Sequence, residues 1–228
     1  MQMMNYLIGS RGLNLSGKVV TSNDIRTTYN VGLGYRRLFL DNKLLAGVNS
    51  FYDHEWNNHH SRVGAGIELR WAGFDLYANN YWRVSETHQT EVVGVYETPL
   101  NGRDLELTSQ VPYMPWARLR LKHYGWDAED NVDEIRGWAA SGEFDLSQNL
   151  QVESGIIDDN TIDNEWFVQV RYRMNFDSDE SLATNRKFID DKAFKMRDMS
   201  KFTLDKVRRI NNIVLERKSG GVTISRTN

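Results

Sequence analysis

Two-residue alternation of apolar and polar side chains recurs along this chain. In "RVGAGIELRW", Val63, Ala65, Ile67, Leu69 and Trp71 share one face, while Arg62, Gly64, Gly66, Glu68 and Arg70 share the other. Trp166, Val168, Val170, Tyr172, Met174 and Phe176 oppose Phe167, Gln169, Arg171, Arg173 and Asn175 in the same way. Successive strand side chains point to opposite faces, so each segment predicts a β-strand with one oily and one charged face. The prolines, at 99, 112 and 115, fall in connections, where the missing N–H costs no ladder bond. Ten strands are predicted, at about 4–13, 27–39, 44–54, 61–71, 74–86, 103–111, 116–126, 134–144, 149–157 and 165–176.

The connections sort by length. After a long 14–26 they alternate: short 40–43, longer 55–60, tight 72–73, long 87–102, short 112–115, long 127–133, short 145–148 and longer 158–164. Short turns at one end and long loops at the other are the habit of a transmembrane antiparallel up-and-down β-barrel. A soluble meander has no reason to sort its hairpins so. Aromatic residues cluster toward predicted strand ends, among them Phe39, Phe51, Tyr52, Trp71, Phe74, Tyr81, Trp82, Tyr124, Trp126, Trp138 and Trp166, as the interfacial girdles of such a barrel require.

Composition fits this picture without deciding it. Hydrophobic residues make up 40% of the 228, and mean hydropathy is −0.59. No run of 18 apolar residues exists, which excludes a membrane-spanning helix but not strands with one polar face. The absence of cysteine removes disulfides and thiolate chemistry. A net charge of −3 gives no general pull toward nucleic acid, so no nucleic-acid partner is expected. The opening "MQMMNYLIGSRG" lacks the basic and apolar regions of a signal peptide.

Candidate chemistry is sparse. "DHEWNNHH" (53–60) is histidine-rich but has no metal-ligand spacing; no metal is expected there. Asp53 and His54 are neighbours on a strand and so point to opposite faces, which argues against a catalytic dyad. No nucleophile elbow or phosphate loop is present, and neither enzyme activity nor a cofactor is expected. The charged face is richer. It gathers Arg36, Arg62, Arg70, Arg83, Arg103, Arg118, Arg120, Lys122, Arg136, Arg171 and Arg173 with Glu68, Asp75, Asp104, Glu106, Glu143 and Glu153.

After Phe176 the chain becomes highly charged, with Phe188, Ile189, Ala193, Phe194 and Met196 spaced for a helical turn or two beyond cap candidates Ser181 and Thr184. With an even strand count, this segment leaves at the short-turn end. It is therefore expected to re-enter a wet lumen as a partly helical linker held by ion pairs. The expected contact set is Gly32, Gly34, Arg36, Gly64, Gly66, Glu68, Arg70, Arg118, Arg120, Arg171 and Arg173 on the strands, with Arg186, Asp190 and Asp191 on the linker. The small residues would leave room, and the arginines would supply charge.

Several collinear strings, "YNVGLGYRRLF", "LLAGVNSFYDHEW", "SRVGAGIELRWAGFDLYANNYWRVS", "YETPLNGRDLELTSQVPYMPWARLRLKHYGWD" and "KVRRINNIVLERK", resemble the β domain of the intimin/invasin family, the inverse autotransporters. The resemblance is strong over roughly 27–126, weaker over 134–176, and sharp again at 202–218. It implies a twelve-stranded outer-membrane barrel of a Gram-negative cell, inserted by the barrel-assembly machinery. Its linker would thread the lumen and display an adhesive passenger that binds a host-cell receptor. On this basis residues 1–176 would be a barrel lacking about two N-terminal strands, 177–218 a lumen-threading linker, and 219–228 the start of the passenger, with the chain truncated at both ends. A porin-like channel, or a soluble lipocalin-like binding protein with its apolar rows inside, are the competing readings.

Overall fold

A computed structural model describes residues 3–8, 28–90, 92–128, 133–147, 149–172, 188–219 and 222–225. Ten strands form one antiparallel sheet in chain order, each paired with its neighbours. They are β1 (Met3–Ile8), β2 (Thr28–Phe39), β3 (Leu44–Glu55), β4 (Ser61–Trp71), β5 (Phe74–Arg83), β8 (Gly102–Val111), β9 (Met114–Trp126), β10 (Ile135–Asp145), β11 (Leu150–Asp159) and β12 (Ile162–Tyr172). Among the described residues β1 and β12 are its edges and do not pair with each other. A second, four-stranded sheet contains β6 (His88–Gln89), β7 (Val95–Pro99), β13 (Leu215–Ser219) and β14 (Val222–Ser225), in the order β14-β13-β7-β6.

The large sheet is inverted relative to a soluble protein. Most carboxylates and guanidinium groups of one face are buried, with Asp53 and Arg62 at 0% exposure, while Val31 and Ile67 of the other stand 61% and 60% exposed. Burying charge away from water is costly unless it is paired, so an arrangement that buries charge and exposes oil requires an apolar surrounding outside. Exposed aromatics mark both ends of the oily face. Phe74 and Trp82 of β5, both exposed, are separated along the strand by about 27 Å. At the tilt usual for barrel strands this projects to roughly 20 Å, close to the apolar band of an outer-membrane barrel.

Connections depart from expectation in three places. The β8–β9 turn is only Pro112-Tyr113, with Tyr113 at φ 64° and Met114 already paired to Val111. The 158–164 connection shrinks to Asn160-Thr161, because β11 and β12 remain paired through a bulge as far as Asp159–Ile162. The 87–102 connection is not a loop but carries β6 and β7. By contrast, the β2–β3 hairpin turns as expected, on Leu40, Asp41 and Asn42 at φ 52°, 50° and 63°, the left-handed conformation favoured in tight hairpins.

The helical turns expected after Ser181 begin outside the described residues, and those that are described do not form them. From Phe188 the chain runs largely as bends, and its one helical element among the described residues is a 3₁₀ turn, Met199–Phe202, capped by Asp198. Apolar spacing suggested a helix, but this stretch gives its backbone bonds to hairpin turns instead: Asp190 N–H donates to Tyr113 O at 2.7 Å, and Tyr113 N–H to Ala193 O at 2.9 Å.

Candidate functional site

Register arranges the charged face in rows. Direct cross-strand partners run Gly32, Phe51, Gly64, Tyr81, Gly102, Trp126 across six strands, alternating glycine with an aromatic ring. A Cβ at Gly32 would collide with the Phe51 ring, and one at Gly102 with Trp126. The glycines are therefore spaces filled by the neighbouring ring, not by a threaded chain. That ring in turn serves as a platform: the Arg209 guanidinium lies 4.0 Å over Phe51, and that of Arg62 lies 4.4 Å over Tyr81, at cation–π distance.

The next row contains Gly34, Asn49, Gly66, Asn79 and Asp104. A side chain at Gly66 would strike Asn79 and Asn49. The row beyond it holds Arg36, Gly47, Glu68, Tyr77 and Glu106. Charges thus lie in layers, each within reach of the next.

The C-terminal segment crosses these rows from the short-turn end to the other. Arg197 donates to Ala72 O at 2.5 Å and pairs with Asp75. Met199 N–H donates to Asn42 O at 2.8 Å, and the Asp198 carboxylate accepts from Ser200 N–H at 3.0 Å. Arg36, paired to Glu68, donates to Thr203 O and Asp205 O at 2.8 and 2.6 Å. Arg70 reaches the Asp205 carboxylate at 2.9 Å. Asn79 then holds Arg208 O at 3.1 Å, and Arg62 holds Ile210 O at 2.8 Å.

Two adjacent arginines form the centre of this path. Arg208 reaches Glu143 on β10 at 2.8 and 2.9 Å and Glu106 on β8 at 3.1 Å. Arg209 turns the other way, to Asp53 on β3 at 2.6 and 2.8 Å and to Asn30 on β2 at 2.8 Å. On a flat sheet β2 and β10 would lie about 29 Å apart. Side chains whose Cα atoms are about 3.8 Å apart cannot bridge that gap, so the sheet curls around the segment.

Beyond Arg209 the contacts become apolar and then strand-like. Ile210 and Val214 pack on Tyr81, Leu100, Tyr124, Trp126 and Ile135, the buried apolar cluster of the polar face. Leu100 N–H donates to Val214 O at 3.0 Å, and β13 then pairs with β7 from Leu215↔Pro99 to Ser219↔Val95. Glu97 ties the exit together, accepting from Asn58 at 2.9 Å and from Arg217 at 2.9 Å, with His60 3.3 Å away.

The expected contact residues divide accordingly. Arg36, Glu68 and Arg70 meet the segment or hold a side chain that does. Arg118 and Arg120 sit among its partners, on Asp75 at 2.5 Å and on Glu106 and Glu153 at 2.8 and 2.6 Å, and Arg171 pairs with Glu153. Gly32 and Gly66 lie under side chains, Gly64 faces the Tyr81 ring, and Gly34 is half-buried in the same rows. Asp190 stays at the β8–β9 turn, its carboxylate accepting from Lys192 N–H, and Asp191 is exposed beside it. Arg173 and Arg186 lie outside the described residues.

Two placements are corrected. Arg103 and Arg136 were expected on the charged face; alternation with buried Gly102 and Asp104, and with buried Ile135 and Gly137, sets both on the outward face. Phe51, Tyr81, Tyr124 and Trp126 face inward, not into a girdle. The principal linker residues, Arg208 and Arg209, escaped the expected set. The doubled arginine in "KVRRINNIVLERK" was the available signal, with Asp53 as a buried acid lacking a catalytic partner.

A family model described as "Inverse autotransporter, beta-domain" matches residues 8–211. The chain belongs to the inverse autotransporter β-domain family. Intimin of Escherichia coli O127:H6 is 30% identical over 204 residues, covering 86% of this chain and 21% of intimin. Invasin of Yersinia enterocolitica is 30% identical over 111 residues, covering 48% of this chain and 13% of invasin. A chain solved in "Unveiling the Mechanism Behind the in-meso Crystallization of Membrane Proteins" shares the fold, with a TM-score of 0.69 at 22% identity over 85% of this chain and 81% of that one. The match to the inverse autotransporter family extends through Arg208 and Arg209, so the crossing segment as far as residue 211 lies within the family's own domain. The family is one of outer-membrane adhesin anchors and not of enzymes in kind.

Proposed function

We propose that this chain is the outer-membrane translocator and anchor of an intimin- or invasin-like adhesin, with residues 197–219 running through the lumen toward the cell surface. One observation carries the reading: a single segment enters at the short-turn end, is held by charge at mid-depth, and leaves as a strand of the outer sheet. The oily face meets outer-membrane lipid, and backbone groups are satisfied strand to strand. Strands of this kind are inserted by the barrel-assembly machinery of a Gram-negative cell.

The mechanism is topological. A charge-lined interior accepts a polar polypeptide by replacing its water with ion pairs and hydrogen bonds, and Arg208 and Arg209 fix where the polypeptide stops. Beyond Ser219 the chain leads into an exported passenger, whose partner would be a host-cell receptor. The segment that fills the interior argues against free conductance, and the buried charge argues against a soluble lipocalin-like fold.

The test is a protease-cleavable tag placed after Asn228 and, separately, before Met1. On intact cells the first is cleaved and the second protected. A C-terminal tag reached only after outer-membrane permeabilisation overturns the export reading.

A further inference from the structure

The outward position of Arg103 and Arg136 sets two charges close together on a face that is mostly oil. Both pair in register with the same residue, Gly125 of β9, one from each side. Their Cα atoms are thus about 10 Å apart across two strand spacings. Gly125 supplies no side chain between them, and a Cβ there would meet only Ile135 O at 3.8 Å. Below this notch His123, the outward residue next along β9, pairs with Leu105 and Trp138 and is exposed. Arg136 is paired to Glu134. No ion pair or hydrogen bond among the described residues engages the Arg103 guanidinium or the His123 ring.

A second observation lies directly beneath, toward the middle of the oily face. A groove of about 560 Å³ is lined by Leu107, Leu119, Leu121, Ala140, Gly142 and Ile156. It begins at the row Leu107, Leu121, Ala140, one outward row below His123. Cationic notch and apolar groove therefore lie on the same strands. Exposed Trp82, Trp138 and Trp166, toward the same end, mark the headgroup level, where indole rings settle.

The geometry points to a binding site for one phosphorylated lipid of the outer leaflet, its phosphate between Arg103 and Arg136 and an acyl chain in the groove. This rests on the membrane reading above. Guanidinium groups bind phosphate through paired, charge-assisted bonds, and basic clusters at headgroup depth recognise anionic lipids. Charge at the head and hydrocarbon along the body select an amphiphile over a second copy of the chain, whose matching face carries the same positive notch.

The experiment uses the full chain extracted from outer membranes in detergent, with heat-modifiable migration as the test of a folded barrel. A bis-phosphorylated, multiply acylated glucosamine lipid is titrated in and followed by native mass spectrometry, beside the same lipid stripped of phosphate. One lipid is expected to be retained at least about tenfold more tightly than its dephosphorylated form. R103Q/R136Q is expected to lose that preference, and A140F, which fills the groove, to weaken the phosphorylated lipid with the arginines intact. R37Q, an outward arginine at the opposite end, leaves binding unchanged, and inorganic phosphate at equal concentration does not displace the lipid. Equal retention of both lipids, equal retention by R103Q/R136Q, or dimers in place of lipid adducts would overturn the site while leaving the barrel reading intact. A chain that shows no heat-modifiable form overturns both.

Discussion

The two halves of the C-terminal segment differ sharply. From 188 to 206 it lies along the short-turn end with Phe188, Ile189, Met196 and Leu204 all exposed and Met199 alone buried, and it is tied down at separate points, by Arg197 on Asp75, Arg70 on Asp205, and Arg36 on Thr203 O and Asp205 O. From Val207 to Glu216 it is largely buried, with Val207, Arg209, Ile213, Val214 and Leu215 all withdrawn from solvent. The first half is guided and the second is held. On the proposed export reading, a segment that slides through before coming to rest is expected to be fastened where it ends. Here the fastening combines paired charge, an apolar seal and a strand pairing.

Removing the whole segment is the severest way to break this contrast. Deleting 177–218 is expected to convert a barrel that is closed to ions in planar bilayers into one that conducts steadily. An unchanged trace would mean that the interior is occluded by something else. Asp53→Ala comes next. It leaves Arg62 and Arg209 buried without their shared partner, and breaking a buried pair costs about 3–5 kcal/mol. The temperature at which heat-modifiable migration is lost should fall clearly.

Leu215→Ala tests the seal. Leu215 is 1% exposed, and truncation of a buried leucine costs about 2–5 kcal/mol. The readout is local: amide exchange in 95–99 and 213–219 should quicken while the central strands keep their protection. The weakest effect belongs to the guided half. Phe188→Ala with Ile189→Ala should change thermal stability by no more than about 0.5 kcal/mol, as for other exposed sites. A loss comparable to that of Asp53→Ala would erase the distinction between the halves.

The strands were legible because alternation is a local property: "RVGAGIELRW" displays both faces of β4 within one turn of reading. The partners of the charged face were not, because they are set by curvature and by a chain more than a hundred residues away. Nothing near Asp53 announces Arg209. The expectation that glycines made room for the linker had the right face but the wrong occupant, since Gly32 is covered by its direct partner Phe51. β7 and β13 escaped notice for a related reason. "VYETP" and "LERKS" have little alternation of their own, and they become strands by pairing with each other.

Arg103 and Arg136 illustrate the opposite error. Charge was assigned to the charged face by type, whereas alternation with Asp104 and Ile135 already placed both arginines outside. Where residue type and period disagreed, period was the better guide, and the disagreement itself marked a place where the oily face carries charge.

The central claim, that residues 197–219 cross from the inner end of the barrel to the outer, is tested most directly with single cysteines in this cysteine-free chain. Ala193→Cys lies at the β8–β9 turn, Lys218→Cys on β13, and Val93→Cys, at a position 90% exposed, serves as the reference on the long-connection side. With a membrane-impermeant thiol reagent on intact cells, Lys218→Cys and Val93→Cys are labelled, whereas Ala193→Cys is labelled only after the outer membrane is permeabilised. Labelling of Ala193→Cys on intact cells, or protection of Lys218→Cys alongside it, would contradict the crossing.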